Sequence, residues 1–282
     1  MRKGSGTYTN PVKSSQFGRE VRKPLIGLLL LTGDLFFYQP STLKFISAAT
    51  EVLAQMNWNV RFITERCASP EETEEVLRHS YLDGLICVSV EPGVAEKAAE
   101  ILPTVNLHYE VKGVPCVYST FRAGLEKLRK FYGNRAHISV AIFCAGEAHN
   151  PLTRELALMP GVVYCNYQGP EFEENNGRKL REELAKHMPD WIIIDQKRFE
   201  KIRSLLFELY GKEQTESILW IFWGSPCPDP AWHGVSIETD NRTRMRLALE
   251  MLEQQLRNPL VKVPSQIQEP HFFRLPDHDQ IY

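Results

Sequence analysis

The residues best equipped for chemistry gather in four stretches. Asp34, Phe36, Phe37, Tyr38 and Gln39 crowd together after an apolar run at 25–31. Aromatic rings can lie on the apolar face of a ring-shaped polyol, while Asp and Gln bond its hydroxyls. Residues 146–154 (GEAHNPLTR) bring His149 and Asn150 next to Arg154, whose guanidinium offers five fixed donors for bidentate recognition. Asp195 ends the apolar run WIII, either as a ligand contact or as a helix cap. Residues 222–233 (FWGSPCPDPAWH) form an aromatic, proline-stiffened loop in which Trp223 and Asp229 are the nearest ligand candidates, Trp223 ahead of Trp232. The alternative for either tryptophan is a place in the core or at an interface. This is a repertoire for holding a molecule.

Bond-breaking machinery is missing. No GxSxG, HExxH, Walker loop or GxGxxG occurs, and Gly4-Ser5-Gly6 lacks the preceding strand of a phosphate loop. The eight histidines and the carboxylates form no metal-ligand spacing. Neither catalysis nor a resident metal or cofactor is expected.

The elements that must position these loops alternate along the chain. The run 25–31 is short, continuous and stopped by Thr32-Gly33-Asp34, which reads as a strand buried on both faces. A helix over 41–56 follows, with Leu43, Ile46, Ala49, Leu53 and Met56 apolar, and then a strand over 58–63. Further strands are expected at 84–90, 104–107, 114–118, 137–143, 162–167, 191–195, 218–222 and 234–237. Further helices are expected at 70–80, 93–101, 121–132, 152–158, 173–187, 197–210 and 241–256. Such alternation predicts α/β architecture with mainly parallel, doubly wound sheets, which bind ligands at the carboxyl ends of their strands. The strands fall into two rounds of five with a break near Ser119, predicting two lobes with a ligand cleft between them.

Length, 282 residues, suits two lobes. A net charge of −2 disfavours nucleic-acid or anionic-membrane binding by this body. Six scattered cysteines without a CxxC pair favour a reducing cytoplasm over disulfides or zinc. The basic N-terminus followed by LIGLLLL is too short to span a membrane and lacks a cleavage site, so it is read as a core strand.

Several short motifs occur in an order that resembles the effector-binding core of the lactose/galactose repressor (LacI/GalR) family, a relative of the periplasmic sugar-binding proteins. They are Asp83-Gly84-Leu85-Ile86, Pro103-Thr104-Val105-Asn106-Leu107 with Gly113-Val114-Pro115-Cys116-Val117, Arg122-Ala123-Gly124, Pro189-Asp190-Trp191-Ile192, and the helix of 239–259. The resemblance covers roughly 24–275. It implies a periplasmic binding protein-like fold of type I, with an N-terminal lobe of 24–118 plus 240–258 and a C-terminal lobe of 119–239 plus 259–282. It further implies a ligand set of Asp34, Tyr38, Ser119, His149, Asn150, Arg154, Asp195, Trp223 and Asp229. Arg154 matches the family's ligand-gripping arginine, whereas Ser119 stands where many members have an aspartate. The last loop lacks the family's usual aspartate clamp. Glu91, ahead of the helix at 93, has two readings, as a ligand contact or as a favourable charge at the helix N-terminus.

Residues 2–8 (RKGSGTY) resemble the wing of a GntR-type winged-helix domain, and the alternative is a flexible Gly/Ser tail. On the wing reading, 1–23 is a wing remnant and linker. The chain would then be the sensing part of a hybrid transcription regulator lacking most of its DNA-binding domain. Expected partners are a sugar or sugar derivative as effector, a second copy of the chain in a homodimer through the 41–56 helix and the segment after Gly93, and operator DNA only through the missing winged helix. No membrane partner is expected. The runner-up is a solute-binding protein for sugar transport, which would need an export signal.

Overall fold

In the computed structural model, the apolar run near the start becomes β1 (Leu25–Leu30), the inner strand on which the first lobe is built. The structure describes residues 22–30, 40–63, 67–120, 125–128, 130, 140–143, 162–164, 177–186, 188–194, 199–223, 229, 231–275, 277 and 279–280. β1 lies between β2 (Asn59–Ile63) and β3 (Gly84–Val88), both parallel to it, and Ile26 to Leu30 are buried. Burial on both faces explains why the run is continuously apolar instead of alternating.

The first sheet has six parallel strands in the order β11-β5-β4-β3-β1-β2, with β4 at Thr104–His108, β5 at Cys116–Ser119 and β11 at Gln266–Gln268. One face is covered by α1 (Pro40–Gln55), whose buried stripe is Phe45, Ala49, Val52 and Leu53, spaced as one side of a helix. Leu43, expected on that stripe, is 56% exposed, since the helix turns Phe45 to the core in its place. The other face is covered by α2 (Pro70–Arg78) and α3 (Pro92–Ile101), through Leu77, Val94, Ala95 and Ala98. Ser69 caps α2 by accepting from the Glu72 amide, and Pro70 opens it where a missing N–H costs nothing. Cys67, Cys87 and Cys116 are free and buried, and burial pushes the Cys87 thiol well up, so they act as small apolar groups.

The second sheet has seven strands in the order β13-β12-β10-β9-β8-β6-β7. Its parallel part is β6 (Val140–Phe143), β7 (Val162–Tyr164), β8 (Trp191–Ile194), β9 (Leu219–Trp223) and β10 (Gly234–Glu238). β12 (His271–Leu275) and β13 (Asp279–Gln280) extend it antiparallel. Helices α4 (Gly177–Lys186), α5 (Phe199–Tyr210) and α6 (Lys212–Glu216) lie between these strands in the chain. Leu184, Phe199, Ile202 and Leu206 pack on Ile192, Ile194, Trp220 and Phe222 of the sheet. The long helix α7 (Asn241–Arg257) returns to the first sheet, where Met245, Ala248, Leu249 and Leu252 pack beside α1.

The chain therefore passes from one sheet to the other three times: after β5, after β10 and after β11. Of the tail 259–282, expected with the C-terminal lobe, residues 266–268 pair with β5 of the first sheet, and 271–275 join the second. A strand can add at that edge because β5 has a free side once β4 occupies its other one. At the start of β10, a Cβ on Gly234 would be driven into the backbone carbonyl oxygen of Trp220. Backbone cannot swing aside as a side chain can, so Gly234→Ala is expected to cost about 1–3 kcal/mol. Thermal denaturation checks it, at roughly 2–4 °C of Tm per kcal/mol for a chain of this size.

Candidate functional site

All strands of the first sheet run the same way, so their carboxyl ends share one edge, and polar side chains collect there. Ser89 follows β3 and His108 ends β4, both with left-handed backbone (φ 55° and 85°). Non-glycine residues held in that region store about 1–3 kcal/mol each and cluster at functional sites. Ser89 Oγ and His108 Nδ1 share a hydrogen bond of 2.6 Å, and Phe45 of α1 meets the imidazole edge-on at 6.0 Å. Burial, reinforced by the nearby Arg244 cation, lowers His108 to about 3, so its ring is neutral at pH 7.

Arg244, in the first turns of α7, is 4% exposed. Its Nη2 donates to Ser119 Oγ at 2.6 Å and its Nε to Gln268 Oε1 at 3.1 Å. Gln268 in turn donates from Nε2 to the Asp240 carbonyl at 2.8 Å. Burial pulls Arg244 down to about 10, with Asp240 acting in the opposite direction, and the guanidinium stays charged at neutral pH. The Asp240 carboxylate caps α7, accepting from the Arg242 and Thr243 amides and from Thr243 Oγ1. Burial alone would raise that carboxyl, but these bonds hold it below its usual range. The edge thus offers a charged donor, hydroxyls and a neutral imidazole, a set able to bond hydroxyl or anionic oxygens.

Ser119 is the one expected ligand residue in this cluster. It is 3% exposed and its oxygen is engaged by Arg244. Asp229 has both carboxylate oxygens engaged within the second lobe: Oδ2 accepts from Arg203 Nη1 at 3.1 Å and Oδ1 from the Ala231 amide at 3.0 Å. Arg203 in turn lies over the rings of Phe199 and Trp232, and Trp232 packs against the second lobe's core. Glu91 precedes α3 as its N-cap residue and makes no side-chain capping bond. Trp223 closes β9, but its side chain lies outside the described residues. Asp34, Tyr38, His149, Asn150, Arg154 and Asp195 also lie outside them.

The sequence reading missed Ser89, His108, Arg244 and Gln268. Two signals were present. Ser89 and His108 stand at the ends of expected strands, where this architecture places ligand contacts. Arg244 also lies in register with Ala248 and Met251, on the buried side of an otherwise apolar stripe. Among the described residues, no His/Cys/Asp/Glu group could hold a metal ion, and no helix is long and apolar enough to cross a membrane.

No family model matches the sequence, and no curated protein matches it. Solved structures do. The transcriptional regulator CelR in its cellobiose complex aligns with a TM-score of 0.65 at 14% identity, over 94% of this chain and 88% of that one. A transcription regulator-like protein from Staphylococcus haemolyticus aligns with a TM-score of 0.68 at 11% identity, over 92% and 100%. A LacI family transcriptional regulator from Enterococcus faecalis with bound ribose aligns with a TM-score of 0.66 at 15% identity, over 89% and 98%. Identities this low speak for architecture alone. The chain has the two-lobe, doubly wound α/β fold of the type I periplasmic binding proteins, and its structural neighbours are transcriptional regulators, LacI-family members among them.

Proposed function

We propose that this chain is the effector-sensing and dimerisation part of a cytoplasmic bacterial transcription regulator, and that its ligand is a small sugar or sugar derivative held between the lobes. The observation that carries the reading is the joining of two parallel-sheet lobes by three chain crossings, with buried polar groups gathered at the strand ends where the crossings leave. Neighbours of this fold carry cellobiose in one case and ribose in another, which supports a carbohydrate. In this proposal Asp34, Tyr38, Ser119, His149, Asn150, Arg154, Asp195, Trp223 and Asp229 contribute contacts. Ligand binding favours one lobe orientation, and in a homodimer that orientation sets the spacing of winged-helix DNA-binding domains of GntR type. The chain itself catalyses nothing.

The test is a thermal-shift screen of the purified chain against neutral sugars, sugar acids and nucleobases. A ligand at ~100-fold over its Kd adds about 2.7 kcal/mol of stability. The expected result is a shift with a sugar or sugar acid that disappears in Arg154→Ala. A shift with nucleobases only, or none with any compound, overturns the sugar assignment. Light scattering with and without the hit then checks the dimer.

A further inference from the structure

We propose that Arg244 is a positioning residue that clasps all three crossings between the lobes, so that they move as one hinge. The inference rests on the fold and these hydrogen bonds, and holds whichever ligand the chain takes. The two residues bonded to the arginine, and a third bonded through one of them, each mark a different crossing. Ser119 is the last residue of β5, where the chain first leaves the first sheet. Asp240, whose carbonyl is tied in through Gln268, lies two residues after β10, where the chain returns. Gln268 is the last residue of β11, three residues before β12 opens in the second sheet. Ser119 and Gln268 are 125 and 24 residues from Arg244 in sequence, yet one guanidinium bonds both.

The chemistry suits a clasp better than it suits filling space. A guanidinium is a rigid planar fork, so two acceptors bound to it hold a fixed mutual orientation, which a lysine on a flexible stem does not impose. Both bonds are charge-assisted and buried, hence stronger and less screened than surface pairs. Among the described residues Arg244 has no carboxylate within ion-pair distance, so its charge is satisfied by the oxygens of the crossings and by the capping Asp240 nearby. Displacing one crossing pulls on the guanidinium donor that the others share.

Hydrogen exchange of the full chain, read by mass spectrometry, tests this as a coupling between segments. Ser119→Ala is expected to speed exchange at least threefold within 266–271 as well as within 116–120, and Gln268→Met to do the reverse. In an Arg244→Met background, Ser119→Ala adds nothing at 266–271. Arg244→Lys keeps the charge but does not restore the cross-effect, which separates a fork from a mere cation. Changes confined to the segment that carries each substitution overturn the clasp. Should Arg244→Met fail to fold, the Ser119→Ala and Gln268→Met double variant decides: effects smaller than the sum of the singles support a shared clasp, and strict additivity sinks it.

Discussion

Trp220→Ala is expected to remove about 3–5 kcal/mol from the second lobe, the usual range for deleting a large buried aromatic. Trp220 is fully buried. It meets Phe199 edge-on at 5.4 Å and Trp232 edge-on at 5.5 Å, and stacks beside Phe222 at 6.4 Å. Such aromatic pairs add about 0.5–1.5 kcal/mol beyond the area they bury. Its indole also donates to the Thr215 carbonyl at 3.2 Å, tying α6 to β9, so truncation removes that link while the carbonyl keeps the Ile218 amide as a donor. The neighbours cannot close the void freely, because Trp232 is itself held by Arg203. Trp220→Phe should retain most of the stability, losing the hydrogen bond and part of the volume. Urea unfolding of the three proteins decides the matter. An alanine variant with a wild-type midpoint would show that these rings do not form the lobe's core.

The second large effect is a pH dependence owed to His108. Its folded pKa of about 3 lies below the 6.5 of an ordinary histidine, through burial first and the Arg244 charge second. The unfolded chain therefore takes up the proton earlier than the folded one. The stability this group contributes is complete above about pH 6.5 and is lost as pH falls from there towards 3. The slope approaches about 1.4 kcal/mol per pH unit for one proton. His108→Gln cannot take up that proton, so its stability should fall less steeply between pH 6.5 and 4.5. Other histidines cancel in the comparison. Asp240 acts in a separate window: its lowered pKa contributes stability above about 3.8 that disappears only as pH falls further. Urea midpoints at pH 7, 6 and 5 for both proteins measure the difference. Equal slopes in the two would rule out His108 as the source.

What the sequence disclosed follows from local physics. β1 was legible because a strand buried on both faces leaves an unbroken apolar signature, and α2 because Ser69-Pro70-Glu71-Glu72 is a helix start written in side chains. The element at 114–118 was expected, and the observed strand, Cys116–Ser119, is displaced by one or two residues because pairing with β4 and β11 sets its ends. The clasp was not legible. The helical spacing puts Arg244 on the buried side of α7, but its partners Ser119 and Gln268 depend on how distant parts of the chain cross. The sheet that β11 joins was hidden for the same reason: nothing local in QIQ says which of the two it pairs with. The strand-end positions of Ser89 and His108 were readable, but their left-handed backbone and the hydrogen bond that joins them were not.

The threefold crossing has a consequence for how the protein is made. A ribosome releases residues 22–120 first, and with them β1 to β5, but α7 and β11 come only after all of β6 to β10. Until α7 arrives, Ile26, Leu28, Leu30, Val105, Leu107 and Val117 lack the cover of Met245, Ala248, Leu249 and Leu252. The usual order, in which the N-terminal domain matures first, is thus reversed for the parallel strands: β6 to β10 emerge as one uninterrupted block while the first lobe waits for its lid. A nascent chain halted before residue 241 would carry an apolar face that only later synthesis can cover, the kind of surface that holdase chaperones bind.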